Sequence, residues 1–256
     1  MSWTQNYKDL STIYIKEFES RWTEGIKTAR ALSGYVKQEF NNVRKIVDVP
    51  CGIGRLSIPL FLEGFDVLGI DFSSQFVEYA NKKIEDFKSN RVNFLIQDMY
   101  ESHEVIANFE PHMIICWWTS IGYKDKKADE NFFKEIRSAI KPGTIFMIET
   151  WFREYILNFP IKRFWSDLGD VIVTVDQNID PLKETVSSVH KYYEKINGSL
   201  QLLGSFSSEI MLYSVIELKN MLEDAGWIVV NLVNSIGNTN SFDIKQDRCV
   251  FVCKSV

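Results

Sequence analysis

The chain has 256 residues, 45% of them hydrophobic, which is enough for one large or two small domains with a substantial core. Its 29 Lys and Arg residues against 34 Asp and Glu residues give a net charge of −5, which disfavours a nucleic-acid partner. No stretch resembles a signal peptide or approaches the roughly 18 apolar residues of a membrane helix. We therefore expect a soluble, cytoplasmic protein that binds neither nucleic acid nor membranes.

The first elements along the chain are helical. Apolar residues recur at three- and four-residue steps from Trp3 to Phe18 and predict an amphipathic helix, and a second helix is predicted over 22–40. Five short β-rich runs follow, separated by helical segments near 54–63, 73–88 and 127–140: KIVDV, FDVLGID, VNFLIQD, HMIICWW and TIFMIET. Strands that alternate with helices predict a parallel sheet covered by helices on both faces.

An insertion follows the fifth strand, at about 152–212. It opens with a short helix-like piece, FREYILNF, and continues with the alternating runs DVIVTVDQ, ETVSSVHKYYEKI and LQLLGSFSSEIMLY. Asn197-Gly198 between two such runs is a strong hairpin signal. We expect an antiparallel β-layer over the main sheet.

The C-terminal region predicts a helix that ends at Gly226 and two strands, WIVVNLV and RCVFVCK, that pair as antiparallel neighbours. The complete prediction is a doubly wound, Rossmann-like α/β fold. It has a mainly parallel seven-stranded sheet with an antiparallel last strand, and an inserted antiparallel β-layer.

The loop that follows the first strand, 50–55, is predicted to lie at the ligand-binding end of the sheet. Gly52 and Gly54 allow a ligand to approach the main chain closely, and Asp71 at the end of the second strand is placed to accept hydrogen bonds from two ribose hydroxyls. A dinucleotide site of the pattern GxGxxG would need a third glycine at the position of Ser57. These features favour an adenosine-containing cofactor other than NAD.

The segment with Asp48, Pro50, Gly52 and Gly54 resembles motif I, (D/E)xGxGxG, of class I S-adenosylmethionine-dependent methyltransferases. Five further segments resemble segments of that family, in the same order. They are GFDVLGIDFSSQFVEYANKK, FLIQDMY, IICWWTSIGY, IKPGTIFMIETWFREY and LEDAGW, and the resemblance covers about 42–155 and 210–254. Two features depart from the family pattern. Pro50 replaces the usual first glycine, and Trp117 and Trp118 are bulkier than usual.

The resemblance implies S-adenosylmethionine as the cofactor and a small-molecule acceptor that receives the methyl group in line. Asp71 would bind the ribose, Asp98 the adenine amino group, and Met99 would flank the ring, while Arg21 would bind the cofactor's carboxylate. The predicted cofactor-binding residues are Asp48, Pro50, Cys51, Gly52, Gly54, Asp71, Phe72, Asp98, Met99, Trp117 and Arg21. The predicted substrate-binding residues are Trp118, Thr119, Tyr123, Trp151 and Tyr14, with Tyr7 as a further candidate to cap the methyl region.

The resemblance also suggests a domain division. Residues 1–41 would form a helical lid, 42–151 and 213–256 the cofactor-binding core, and 152–212 the substrate wall. No catalytic base is assigned. His112 lies at the start of a strand, opposite the ligand end, His103 lies in a polar turn, and His190 could face either a cavity or solvent.

The four cysteines, Cys51, Cys116, Cys249 and Cys253, show no CxxC pairing and are expected to be reduced core thiols, with no metal site. Two alternatives to the enzyme remain open. They are a non-catalytic S-adenosylmethionine-binding module and, disfavoured by Ser57, a nicotinamide-dependent oxidoreductase. The acceptor, the atom that is methylated and the oligomeric state are not determined by the sequence.

Overall fold

The computed structural model describes residues 11–40, 42–237 and 241–256. Its helices are α1 (Ser11–Ser20), α2 (Trp22–Glu39), α3 (Ser57–Leu62), α4 (Ser74–Ile84), α5 (His103–Phe109), α6 (Lys126–Ala139), α7 (Arg153–Asn158) and α8 (Val215–Asp224). Its strands are β1 (Lys45–Asp48), β2 (Asp66–Asp71), β3 (Val92–Ile96), β4 (Met113–Cys116), β5 (Ile145–Thr150), β6 (Arg163–Asp167), β7 (Val171–Asp180), β8 (Thr185–Ile196), β9 (Ser199–Met211), β10 (Trp227–Val233) and β11 (Cys249–Ser255). The first part of the helix predicted from Trp3, including Tyr7, lies outside the described residues.

Within the described residues, the main sheet has seven strands in the order β10-β11-β5-β4-β1-β2-β3. The pairs among β1 to β5 are parallel, and β11 is antiparallel to both of its neighbours, β5 and β10. The predicted fold class is therefore confirmed, including the antiparallel last strand. The strand order reverses direction at β1 and β4, and this is where a doubly wound sheet binds its ligands.

Helices cover both faces of this sheet. Ala29, Leu32 and Val36 form one buried stripe of α2 at helical spacing, and they join a core with α3, α4 and one face of the strands. The opposite face packs against α6 and α8, with Phe132, Phe133 and Leu222 in that core. Cys249 and Cys253 lie in the same core, and all four cysteines are buried free thiols, as predicted.

Local signals account for most helix boundaries. Ser73 and Asp125 cap α4 and α6 by accepting hydrogen bonds from the backbone N–H groups of Phe76 and Ala128. A capping box between Ser214 and the Glu217 side chain begins α8. The helix α5 was not predicted, since this polar segment was interpreted as a turn, and β6 was also missed.

The insertion forms a separate antiparallel sheet in the order β6-β7-β8-β9. Asn197 and Gly198 connect β8 to β9 with φ values of 48° and 78°, as the predicted two-residue hairpin requires. Val173, Tyr192 and Phe206 of this sheet pack on Tyr14 of α1 and on Ile53 in the loop after β1. The inserted layer therefore packs at the carboxyl ends of the parallel strands, not on a face of the main sheet as expected.

None of the helices in the described part of the chain combines the length and the apolar composition that would let it cross a lipid bilayer.

Candidate active site

A cavity opens at the carboxyl ends of β1 to β4, and we call it the first cavity. The cavity and its solvent-open mouth together contain about 920 Å³ of space. Its walls come from the loop after β1, the ends of β2 and β3, the loop after β4, and α1. The lining residues are Phe18, Pro50, Cys51, Gly52, Ile53, Arg55, Asp71, Phe72, Phe76, Asp98, Met99, Tyr100, Trp117, Trp118, Ser120 and Tyr123.

The loop after β1 requires its glycines for two different reasons. Gly52 has a φ of 54° and Gly54 a φ of 79°, a region that residues with a Cβ atom rarely adopt. In addition, a Cβ atom at Gly54 would lie 2.9 Å from the Phe94 ring. Gly52 thus exposes its main chain to the cavity, whereas Gly54 lies below the cavity and packs against β3.

Asp71 is buried at the end of β2 and lines the first cavity. Its Oδ2 accepts a hydrogen bond of 2.8 Å from the Gly52 N–H, and its Oδ1 accepts one of 2.9 Å from the Ser73 N–H. Burial raises the pKa of this carboxyl to about 6, while the two N–H groups oppose the rise. Each oxygen keeps acceptor capacity, so the carboxylate can still bind two hydroxyl groups of a ligand.

Asp48 lies below the cavity and does not line it. Its Oδ2 accepts a hydrogen bond of 2.5 Å from the Ser57 hydroxyl, and burial raises the pKa of this carboxyl to about 7. The Ser57 hydroxyl therefore donates a hydrogen bond to a buried carboxyl group, which a glycine at position 57 could not do. This contact gives a physical reason why the chain lacks the third glycine of a dinucleotide site.

Asp98 and Met99 follow β3 and line the first cavity beside Phe72. The Asp98 Oδ1 accepts a hydrogen bond from the Tyr100 N–H, and its Oδ2 lies 3.0 Å from the Lys124 ammonium. Met99 is buried among residues of the sheet core. Asp98 and Met99 therefore lie where they would contact the ring of a ligand that is bound next to Asp71.

The loop after β4 is held in a strained conformation. Trp118 and Thr119 have φ values of 57° and 56°, which cost free energy for residues with a Cβ atom. The buried Glu149 accepts a hydrogen bond of 2.7 Å from the Trp118 N–H, and Arg248 donates one of 2.7 Å to the Thr119 hydroxyl. Arg248 also lies 3.6 Å from Glu149. These contacts fix the direction in which the Trp118 ring projects.

A second cavity, with about 1010 Å³ in it and its mouth, lies between this loop, α1 and the inserted sheet. All five predicted substrate-binding residues line it: Tyr14, Trp118, Thr119, Tyr123 and Trp151. The rest of its wall consists of Glu17, Phe18, Arg21, Arg55, Phe164, Ser166, Val173, Val175, Gln177, Ser188, His190, Phe206, Ser208, Ile210 and Arg248. The inserted sheet therefore supplies one complete side of this cavity.

The two cavities adjoin. Phe18, Arg55, Trp118 and Tyr123 line both of them. A ligand in the first cavity and a ligand in the second would therefore meet across these four side chains.

Three of the predicted cofactor-binding residues do not line the first cavity. Asp48 and Gly54 lie below it, and Arg21 lines the second cavity, where it is 3.9 Å from Glu17. Eight of the predicted residues do line it: Pro50, Cys51, Gly52, Asp71, Phe72, Asp98, Met99 and Trp117.

Six residues that line the first cavity were not predicted from the sequence: Phe18, Ile53, Arg55, Phe76, Tyr100 and Ser120. Arg55 directly follows the glycine turn and could have been found from that position. Phe18 belongs to the amphipathic pattern of α1, in which an apolar residue that faces a cavity is indistinguishable from one that faces a core.

The three histidines have different environments. The His112 Nδ1 accepts a hydrogen bond of 3.1 Å from the Lys45 N–H at the opposite end of the sheet, which is a structural contact. His103 begins α5 and is half-exposed, 3.5 Å from Glu135. His190 lines the second cavity, and its ring is tilted against that of Phe206 with the ring centroids 4.4 Å apart. Burial lowers the pKa of His190 to about 4.

Comparisons with known proteins agree with this geometry. Residues 46–143 match the family model of a methyltransferase domain. A putative methyltransferase of Bacillus subtilis, YqeM, is 31% identical over 130 residues, which are 50% of this chain and 47% of YqeM. Together with the site around Gly52 and Asp71, these matches decide the family of this part of the chain. Residues 46–143 form a methyltransferase domain of the class I S-adenosylmethionine-dependent family.

The predicted family is thus confirmed, with S-adenosylmethionine as its cofactor. Mouse glycine N-methyltransferase is 28% identical to this chain over 182 residues, 63% of this chain and 59% of that protein. The chain therefore spans only about half the length of the curated relatives it matches.

A structural neighbour of this chain is CalS10, an amino pentose methyltransferase from Micromonospora echinaspora, solved with S-adenosylmethionine bound. The two share a TM-score of 0.74 with 12% sequence identity, over 95% of this chain and 97% of CalS10. At this level of identity the likeness shows the fold alone. It includes the inserted sheet, since nearly the whole chain is covered.

Proposed function

We propose that the protein transfers a methyl group from S-adenosylmethionine to a small-molecule acceptor. The observation that carries this proposal is the pair of adjoining cavities. Gly52 and the Asp71 carboxylate lie in the wall of the first, and aromatic side chains and the inserted sheet line the second. Mouse glycine N-methyltransferase and CalS10 both act on small molecules by their printed names, which supports the size of the acceptor.

In the first cavity, the chain's own residues would bind and orient the cofactor. The Asp71 carboxylate, which the N–H groups of Gly52 and Ser73 hold in place, would accept hydrogen bonds from the ribose hydroxyls. Asp98 and Met99 would contact the adenine ring. Bound there, S-adenosylmethionine would supply an electrophilic methyl group. Asp48, Pro50, Cys51, Gly54, Phe72 and Trp117 shape or support this cradle, and Arg21 remains the predicted partner of the cofactor's carboxylate.

In the second cavity, Tyr14, Trp118, Thr119, Tyr123 and Trp151 would hold the acceptor. Holding the two reactants in a fixed relative orientation and excluding water can lower the barrier by on the order of 7–11 kcal/mol in favourable systems. A catalytic base is needed only for an acceptor that arrives protonated. The neutral His190 faces this cavity, although its lowered pKa of about 4 makes it a weak base.

The insertion at 152–212 is proposed to be the substrate wall, 42–151 and 213–256 the cofactor-binding core, and the helices of 1–41 the lid. The two described helices of this proposed lid contact different parts of the protein. Tyr14 and Phe18 of α1 reach the cavities, while α2 packs in the core of the main sheet. A cytoplasmic location and the lack of nucleic-acid and membrane partners remain predictions.

The test of the proposed function is in two steps. Isothermal titration calorimetry with S-adenosylhomocysteine and with NADH separates a methyltransferase from a nicotinamide oxidoreductase, and binding of NADH alone would contradict the proposal. Transfer of a labelled methyl group to a panel of small amines, phenols and acids then separates an enzyme from a non-catalytic binding module. Strong binding of S-adenosylhomocysteine without transfer to any of the panel would favour the module.

A further inference from the structure

Arg55 is a buried cation that has no hydrogen-bond or salt-bridge partner in the part of the chain that is described. Only 7% of its surface is exposed. Its guanidinium carbon lies 3.9 Å from the centroid of the Trp118 ring and 5.3 Å from that of Phe18, so two aromatic faces hold the side chain in place. Its Nη1 is buried, and no hydrogen-bond acceptor among the described residues reaches it.

The charges around Arg55 do not neutralise it. Burial and, to a lesser extent, the nearby positive charge of Arg21 lower the pKa of its guanidinium to about 10, and Glu24, Glu17 and Asp48 each oppose this with a smaller individual effect. At neutral pH the group is still charged. A buried charge with an unused donor costs free energy, and a bound anion would offset that cost.

The second cavity is the more positive of the two. Arg21, Arg55 and Arg248 line it, against the single carboxylate of Glu17. Arg21 lies 3.9 Å from Glu17, and Arg248 lies 3.6 Å from Glu149, so both of these arginines have acidic neighbours. Arg55 is the arginine lining this cavity that has no carboxylate within salt-bridge distance among the described residues.

The first cavity has the opposite character. Asp71 and Asp98 line it, and Arg55 is its only lining cation among the described residues. A negatively charged group is therefore favoured on the side of Arg55 that faces the second cavity. The second cavity is also lined by the rings of Trp151 and Phe164 and by Ser166 and Ser208.

We propose that the acceptor carries a carboxylate, and that Arg55 binds this carboxylate in the second cavity. The inference rests on the proposed function, because it names the class of acceptor for the same site. Trp118 positions the guanidinium by stacking on it, and Arg21 adds a second positive charge nearby. An aromatic or heteroaromatic acid would use both the charge and the rings of this cavity.

The test compares two probes that have the same ring and differ in charge, benzoate and benzyl alcohol. Each is titrated calorimetrically into the full chain, with and without saturating S-adenosylhomocysteine. Benzoate is expected to bind at least about ten-fold more tightly than benzyl alcohol, because a charge-assisted bidentate contact is available only to the acid. Arg55→Met should abolish this preference, and Arg55→Lys should retain part of it through its charge.

The matched control is Arg30→Met, which removes a guanidinium from an exposed site on α2 and should leave the preference intact. Equal binding of benzoate and benzyl alcohol to the unaltered protein would overturn the inference. An Arg55→Met protein that keeps the preference for benzoate would overturn it as well.

A further arm distinguishes the acceptor's carboxylate from that of the cofactor. S-adenosylhomocysteine has a carboxylate and 5′-methylthioadenosine has none. In Arg55→Met, the ratio of their affinities should stay within about two-fold of its original value. A selective loss of S-adenosylhomocysteine binding would assign Arg55 to the cofactor and refute the inference. Failure of the unaltered protein to bind S-adenosylhomocysteine would instead contradict the proposed function, and the benzoate titrations without it would still test Arg55.

Discussion

The two cavities are built in different ways. The first takes most of its wall from short segments that follow consecutive strands of one parallel sheet, at 50–55, 71–76, 98–100 and 117–123. The second joins α1, the ends of β4 and β5, four inserted strands and Arg248, which are far apart in the chain. A binding site at the ends of a parallel sheet therefore follows from the fold, whereas the adjoining cavity depends on how a separate sheet docks.

The largest expected effect is on the first cavity alone. Asp71→Ala removes the carboxylate that Gly52 and Ser73 orient, so S-adenosylhomocysteine should bind about 100-fold more weakly, a loss of about 3 kcal/mol for two charged hydrogen bonds. Calorimetry measures the affinity. The control is Asp66→Ala, at the other end of the same strand, which should not change it. If Asp71→Ala bound S-adenosylhomocysteine with full affinity, the assignment of Asp71 to the ribose would be wrong.

The next effect concerns the docking of the inserted sheet. The Met211 N–H of β9 donates a hydrogen bond to the Gly122 carbonyl, and a Cβ atom at Gly122 would lie 2.5 Å from the Met211 carbonyl oxygen. Gly122→Ala should therefore cost about 2 kcal/mol more than Gly143→Ala in the free energy of unfolding. The two glycines have φ values of 88° and 90°, but nothing lies within 4 Å of a Cβ atom at Gly143. Equal costs in chemical denaturation would show that the contact with β9 is unimportant.

A smaller effect should separate acceptor binding from cofactor binding. Trp151 lines the second cavity and stacks under Arg248 at 5.1 Å. Trp151→Leu should raise the KM for the best acceptor of the panel about ten-fold, since part of an aromatic contact is lost, and should leave the affinity for S-adenosylhomocysteine unchanged. Trp165→Leu is the control, because Trp165 is 66% exposed on β6. A change in cofactor affinity alone would contradict the division between the cavities.

The smallest expected effect is a dependence of stability on pH through His190 in the second cavity. Burial and, to a lesser extent, Arg21 lower its pKa from 6.5 to about 4 in the folded protein. Between these two values the unfolded chain binds a proton that the folded protein does not, so stability falls as the pH falls. The loss from pH 6 to pH 5 should be about 1 kcal/mol. Chemical denaturation of His190→Gln at both pH values should show this loss removed, and an unchanged loss would contradict the burial of a neutral imidazole.

Sequence reasoning was most accurate where neighbours in the chain are also neighbours in space. The seven-stranded sheet, the hairpin at Asn197-Gly198 and the carboxylate of Asp71 all follow from short patterns, because strand period, turn chemistry and strand ends are local properties. It failed for α5 and β6, whose polar and mixed compositions carry no clear period. Most of the residues that line the first cavity were therefore predicted as binding residues from the sequence.

What the sequence determined by itself is the cofactor-binding sheet and the residues at its strand ends. Only the tertiary structure decided which side chains face each other across long separations. It placed Arg248 on Thr119, His190 in the second cavity beside α1, and Arg55 between Trp118 and Phe18. The physical reason is that charge pairing and burial depend on distances in space. A local sequence pattern does not show whether a buried guanidinium pairs with a carboxylate of the protein or remains available to a ligand.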